Sequence, residues 1–265
     1  MSQSSQSDVF LSRELDGTLE AFITSSPRPP PVPVATSQEI RDRGSIFVAS
    51  IYCVSTPQEA AARVNHVKHV VHRTRKATHE ISAWRCMVLK PGKTGLNAKE
   101  DFEVVQGSKD DGESWAGGKV LKVMQDYGIL DAVVIVTRWY GGTMLGPARF
   151  AHIETCAAEV CKEFKRTEEL QDCIATLQNL DALLADHRAQ LAALTETVPS
   201  RTTNAGSEVQ HVSTTKETPI PPSTKKAPEY KDLDLPKAKR LIQARERAIN
   251  SVKALIAKKA KLLET

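Results

Sequence analysis

Two arginines flank a glycine-rich turn in VTRWYGGTMLGPARF, residues 136–150. Gly141 and Gly142 can adopt φ values closed to other residues. Gly146-Pro147 fits a helix N-cap followed by the first helical position, where proline lacks only a donor the helix would not use. The turn is therefore expected to aim N–H groups outward at a helix start, which favours anions. Arg138 and Arg149 add full positive charge, and Arg149 falls in the first helical turn, where a cation opposes the helix dipole. An anion- or partner-facing surface of Arg138, Trp139, Tyr140, Gly141, Gly142, Gly146 and Arg149 accounts for that placement. Tight packing with a solvated arginine is the competing reading. The turn is neither a P-loop nor GxGxxG, because the GK[ST] ending is missing and the glycines are misplaced.

A second stretch, DDGESWAGG, puts Asp110, Asp111 and Glu113 just ahead of a helix start near Ser114. Carboxylates there suit the helix dipole. They could hold Mg²⁺ or pair with Arg138 across the fold; the ion pair is the favoured reading, since no histidine partners the acids. In ATHEISAW, His79 could serve as a general base with Glu80 orienting it, although a histidine at a strand start is more often structural. His66, His69 and His72 drift around a helix and make a poor metal site. No serine or cysteine stands in a nucleophile-elbow context. The residues read as a binding surface ahead of a catalytic one. No catalytic residue, metal or cofactor is expected, with a phosphate- or metal-dependent hydrolase as the enzymatic alternative.

These groups need elements to hold them. SIFVASIYCV (45–54), the alternating ISAWRCMVL (81–89) and AVVIV (132–136) read as strands. In the second, Ile81, Ala83, Arg85, Met87 and Leu89 share a face. Pro57 opens a helix with Ala60, Val64, Val67 and Val71 at helical spacing. KVLKVMQDYG places Val120, Val123, Met124 and Tyr127 on one side and ends at Gly128, where a C′ glycine belongs. PARFAHIETCAAEVCKEF is helical, with Ile153, Cys156, Ala157, Val160 and Phe164 together. PGKTGLNAKEDFE reads as a loop. Strands alternating with helices imply an α/β or α+β sandwich.

The rest of the chain is simpler. Residues 1–39 read as a disordered proline-rich leader, whose PxxP spacing would also fit an SH3-type groove. Residues 40–165 form the domain. Over 166–196, Leu170, Leu177, Leu184 and Leu191 recur every seven residues, with Cys173, Leu180, His187 and Leu194 between them. That pattern fits a homodimeric coiled-coil scaffold or a lone amphipathic helix on the domain. Residues 197–231 read as a disordered linker. Residues 232–265 read as a basic amphipathic helix that pairs with the 166–196 helix or lies on nucleic acid or an anionic membrane. The 265-residue chain is 40% hydrophobic and 26% charged, with net charge +4, which permits an acidic partner without demanding one. Five cysteines form no metal spacing and read as reduced thiols. No apolar run reaches the ~18 residues of a membrane span. A cytoplasmic location is expected, with the nucleus left open.

Taken together, SIFVASIYCV, ATHEISAWRC, DDGESWAGGKVL and VVIVTRWYGGTMLGPARFAHI closely resemble the Impact family over residues 40–165. The resemblance implies an α+β, two-layer βαβ sandwich like domains of a small-subunit ribosomal protein and elongation factor G, here with a C-terminal helical extension. It implies a translational regulator that binds the ribosome or the ribosome-associated activator of the starvation kinase that phosphorylates initiation factor two. RNA and monomeric actin are further partners it suggests, and no enzymatic activity. It makes His79, Asp110, Asp111 and Glu113 family-motif residues. The 39 preceding residues are expected to be too few for the RWD domain that full-length members carry. A single-domain form whose basic C-terminal helix supplies a different contact is therefore expected.

Overall fold

The computed structural model describes residues 30–97, 100–196, 230 and 233–263. In order, the elements are β1 (Ala35–Thr36), β2 (Ile40–Asp42), β3 (Ser45–Cys53), α1 (Pro57–His66), β4 (His79–Leu89), β5 (Phe102–Lys109), α2 (Ala116–Asp126), β6 (Ala132–Trp139), α3 (Ala148–Glu196) and α4 (Leu235–Leu263). Every strand pairing is antiparallel. The strands run β3–β6–β4–β5, and β1 and β2 both line the outer edge of β3.

β6 is central and buried along nearly its whole length, which is why it reads as an unbroken apolar run. Successive side chains point to opposite faces. Ala132, Val134 and Val136 therefore join the core beneath α2 and α3, with Phe47, Ile81, Val120, Met124 and Ile153. Val133 and Ile135 pack on the other face with Ala60 of α1, Tyr52 and Cys86. The sheet, α2 and α3 form the expected α+β sandwich, and α1 adds cover on the second face. Each fully buried Val, Ile or Met side chain contributes roughly 1.5–3 kcal/mol, so Ile153→Ala, at the start of α3, would cost about 2–5 kcal/mol.

Local signals explain the ends. Thr56 caps α1 by accepting from the Glu59 N–H at 3.2 Å, with Pro57 in the first turn. Gly128 takes φ +61° just past α2, as a C′ glycine should. α1 does not continue to Val71 as a regular α-helix. It passes into a π-helical turn, Val67–Val71, which buries Val67 and leaves Val71 exposed.

Several sequence expectations are corrected. A strand absent from the sequence expectations, β5, takes the last two residues of PGKTGLNAKEDFE, Phe102 and Glu103, and runs on to Lys109. The domain begins before residue 40: Ala35 and Thr36 pair with Ile51 and Ser50 of β3. No break separates the domain from the heptad segment, because α3 runs unbroken from Ala148 to Glu196. Two of the heptad leucines, Leu177 and Leu184, find their cover within the chain. α4 lies along α3 within the same chain, burying Leu177 and Leu184 of α3 and Ala238 and Ile249 of α4. The pair is parallel: Lys239 reaches Glu169 at one end and Lys259 reaches Thr195 at the other. The 197–231 linker and most of the 1–39 leader lie outside the described residues.

Candidate functional site

The C-terminal end of β6, the loop before α2 and the start of α3 meet on the helix-bearing face. Arg138 is two residues from Val136 and shares its face, so β6 aims it under α2 and α3. It is only 5% exposed. Its Nη1 donates to Glu113 Oε2, and Arg149 Nε donates to the other oxygen at 2.5 Å. Arg149 Nη1 also donates to the Gly146 carbonyl at 2.7 Å. One carboxylate, 5% exposed, thus binds two guanidinium groups. The anion that offsets Arg149 at the start of α3 belongs to the chain itself, and of the three acids Glu113 alone makes the expected ion pair with Arg138.

Arg138 is held further by aromatic faces, with its guanidinium 5.3 Å from the Phe47 ring and 5.5 Å from that of Tyr140. Its Nε is buried without a hydrogen-bond partner among the described residues. Beside the triad opens a recess of about 380 Å³, lined by Thr78, His79, Tyr140, Met144, Leu145 and Gly146 as well as the three charged residues. Two positive charges and one negative line it. Met144, at 79% exposure, and Tyr140 form an apolar rim.

The three acids diverge. Asp110 caps α2, accepting from the Trp115 and Gly117 N–H groups at 3.0 and 2.8 Å. Asp111 accepts from the Glu80 N–H at 2.8 Å and from Lys68 at 3.0 Å. Burial acts to raise the Asp111 pKa, but the Glu80 N–H and the Lys68 ammonium together hold it below the ordinary carboxylate value. Only Glu113 faces the recess. Among the described residues, no group of three His, Cys, Asp or Glu side chains is placed to hold a metal.

His79 does reach the recess. Its Nδ1 lies 2.9 Å from the Asp111 carbonyl oxygen, so in the neutral ring Nδ1 carries the proton and Nε2 is the free acceptor. Nε2 sits 3.8 Å from Glu113. Glu80 cannot orient it. As the next residue on β4 it points to the opposite face, where it meets His72 Nδ1 at 2.9 Å. Trp139 is likewise absent from the recess: its Nε1 donates to the Arg75 carbonyl at 3.1 Å, and His72 packs edge-on against it. The buried thiols are unsuited to attack. Burial, aided by Asp131, pushes Cys86 up to about 11, and burial pushes Cys161 up to about 12.

The glycines divide by role. Gly142 and Gly146 take φ +87° and +57° and shape the turn. Gly141 instead allows close approach: a Cβ there would lie 1.9 Å from the Gly44 carbonyl carbon. Its N–H donates to Ser45 Oγ at 3.2 Å, and the Tyr140 N–H donates to Thr78 Oγ1 at 3.0 Å. Two of the turn's donors are therefore satisfied internally and do not face a ligand. Thr78, Met144 and Leu145 are recess residues that no spacing had marked. The apolar Met-Leu pair inside an otherwise polar turn was the available signal.

Residues 43–161 match the family model of the Impact N-terminal domain. Protein IMPACT of Rattus norvegicus is 34% identical over 134 residues, 49% of this chain and 38% of that protein. Protein IMPACT-A of Xenopus tropicalis is 35% identical over 133 residues, 50% of this chain and 38% of that protein. The solved structure of the two-domain translational regulator Yih1 is 35% identical, covers 47% of this chain and 44% of that one, and has a TM-score of 0.31. The chain thus spans well under half the length of these curated relatives. Over residues 43–161, the chain carries an Impact-type N-terminal domain.

Proposed function

We propose that the chain is a non-catalytic regulator of translation that acts by binding ribosome-associated machinery, and that it modulates the starvation-responsive pathway controlling initiation factor two. The observation that carries this reading is the recess. Its buried charges are committed to one another through Glu113, while its rim leaves Tyr140 and Met144 open to solvent. Such a surface suits a partner's side chain better than turnover of a substrate. An exposed methionine beside an aromatic ring, over a site with one surplus positive charge, fits an acidic, partly apolar partner segment.

Sucrose-gradient sedimentation of the tagged protein in cell extract, at low and high salt, tests it. The comparison variant is Tyr140→Ala/Met144→Asp, because both residues are exposed and Arg138 is not. Wild type should co-migrate with ribosomes at low salt, and the variant should stay at the top. Wild type at the top under both conditions, or a variant that migrates like wild type, would overturn the proposal.

One observation favours a second reading, a small-anion hydrolase: His79 Nε2 opens onto the recess beside Glu113. Phosphate release from p-nitrophenyl phosphate that disappears in His79→Gln would support it.

A further inference from the structure

We propose that the outward face of α4 is an RNA-docking stripe, separate from the recess. α4 carries nine cations, Lys237, Lys239, Arg240, Arg245, Arg247, Lys253, Lys258, Lys259 and Lys261, against one acid, Glu246. Part of that charge is used internally. Lys237 pairs with Asp234, Lys239 with Glu169 and Arg245 with Asp181, while Lys259 donates to Thr195. Arg240, Arg247 and Lys258 are exposed, and none has an ion pair among the described residues.

Their spacing makes one line. Steps of seven and eleven residues return to within about 20° of the same helix face at 3.6 residues per turn, and the line is about 27 Å long. It lies opposite the apolar seam of Ala238, Ile242, Ile249 and Ile256 that faces α3. Between the cations stand Gln243, Asn250, Ser251 and Ala254, all exposed.

That composition selects the occupant. An amphipathic helix binds a bilayer by inserting a continuous apolar face, and here α3 covers the seam around Ala238 and Ile249, leaving only Leu255 and Leu262 exposed near the far end. A protein partner needs a buried aromatic or aliphatic anchor, and the stripe's centre offers none. A regular phosphate backbone needs only spaced cations and small polar donors. The choice of RNA over DNA rests on the translational reading; the stripe itself does not.

Fluorescence anisotropy on the full chain tests it, with a labelled RNA duplex of roughly 16 base pairs and salt as the variable. Wild type should bind, with affinity falling as salt rises. Arg240→Gln/Arg247→Gln/Lys258→Gln should bind at least about tenfold more weakly and flatten the log–log salt slope by about 3, near one unit per lost phosphate contact. Ser251→Lys/Ala254→Lys, which adds charge along the same line, should tighten binding. Helical circular dichroism of both variants should match wild type. An unchanged slope in the triple variant, no RNA binding by wild type, or binding only to phosphatidylserine vesicles would each overturn the proposal. Tighter binding to a DNA duplex of equal length would overturn the choice of RNA. Tyr140→Ala/Met144→Asp should leave RNA binding intact. Loss of ribosome co-migration in that variant alone keeps the two proposals separable.

Discussion

Glu113→Gln removes the one negative charge that Arg138 and Arg149 share, and its cost follows from where those guanidinium groups sit. Arg138 is 5% exposed, so after the substitution it remains buried with no counter-charge in contact. Breaking a buried ion pair from one side costs about 3–5 kcal/mol, because the orphaned charge keeps its desolvation penalty. Arg149 has a quarter of its side chain in water, so its share is that of a screened surface pair, about 0–1 kcal/mol. The amide returns one acceptor oxygen, which places the total near 3–4 kcal/mol. Urea denaturation should show this as a lower midpoint at unchanged slope, or a drop in Tm of about 10 °C at 2–4 °C per kcal/mol. The double variant Glu113→Leu/Arg138→Met should recover most of the loss, since apolar groups of similar volume often replace a buried pair at little cost. A Glu113→Gln penalty under about 1 kcal/mol, or a double variant worse than the sum of its single changes, would refute the claim that Arg138 is desolvated and held by Glu113.

Four further outcomes follow from the geometry. Asp111 has a folded pKa below its unfolded value, so it contributes stability that is present above pH ~4 and lost as pH falls through the folded value. With a third of its side chain exposed, the contribution is on the order of 1 kcal/mol after screening, and Asp111→Asn should flatten the acid limb of a stability–pH curve. Gly141→Ala drives a methyl into the Gly44 backbone and should cost at least about 2 kcal/mol by thermal melting. Gly118→Ala, with nothing within 4 Å in α2, should gain about 0.5–1 kcal/mol. Leu177→Asp should destabilise the α3–α4 pair by about 2 kcal/mol or more, read from helical signal against urea, while light scattering gives the same mass before and after, because its partner surface lies in the same chain.

Periodicity made the sandwich legible where burial is two-sided or strictly one-sided. β6 reads as a solid apolar run because core lies on both faces. The buried face of α3 over residues 153–164 reads correctly because Ile153, Cys156, Ala157, Val160 and Phe164 recur at helical spacing against the sheet. β5 was invisible for the opposite reason. As an edge strand it buries little and mixes Glu, Gln, Gly and Lys into its run, so its register comes from pairing with β4 and from Gly107, whose missing Cβ leaves room for the Trp84 indole. The heptads were legible as a seam but not as a partner choice, since a seam of leucines is equally satisfied by another copy or by α4.

At the recess, residue types offered the arginines two kinds of partner, an outside anion or the chain's own acids, and both arginines pair with Glu113. Arg138 and Glu113 are 25 positions apart, and no local pattern states that β6 will deliver one beneath the loop holding the other. Strand alternation could have separated Trp139 from Arg138, and Glu80 from His79, because adjacent residues on a strand cannot serve one site.

A buried ion triad roughly breaks even against an apolar core, so stability alone does not account for Arg138, Arg149 and Glu113. What the triad does is fix a meeting point. It ties the end of β6, the loop that starts α2 and the first turn of α3 to one carboxylate, and so holds the end of α3 from which the helix leaves the domain. From Arg149, α3 travels about 30 Å before Glu169 meets α4 and about 70 Å before Thr195 does, at 1.5 Å per residue. The cationic stripe is therefore carried well away from the recess on one continuous helix. Two surfaces so spaced can engage two sites on one large assembly at once, and linked binding of that kind multiplies weak contacts only if the spacer is stiff enough to present both together. The Glu113 triad pins the first turn of that spacer, next to the bed that Ile153, Cys156, Ala157 and Val160 make on the sheet. Loosening it with Glu113→Gln should weaken ribosome co-migration more than it weakens binding of α4 to an isolated RNA duplex.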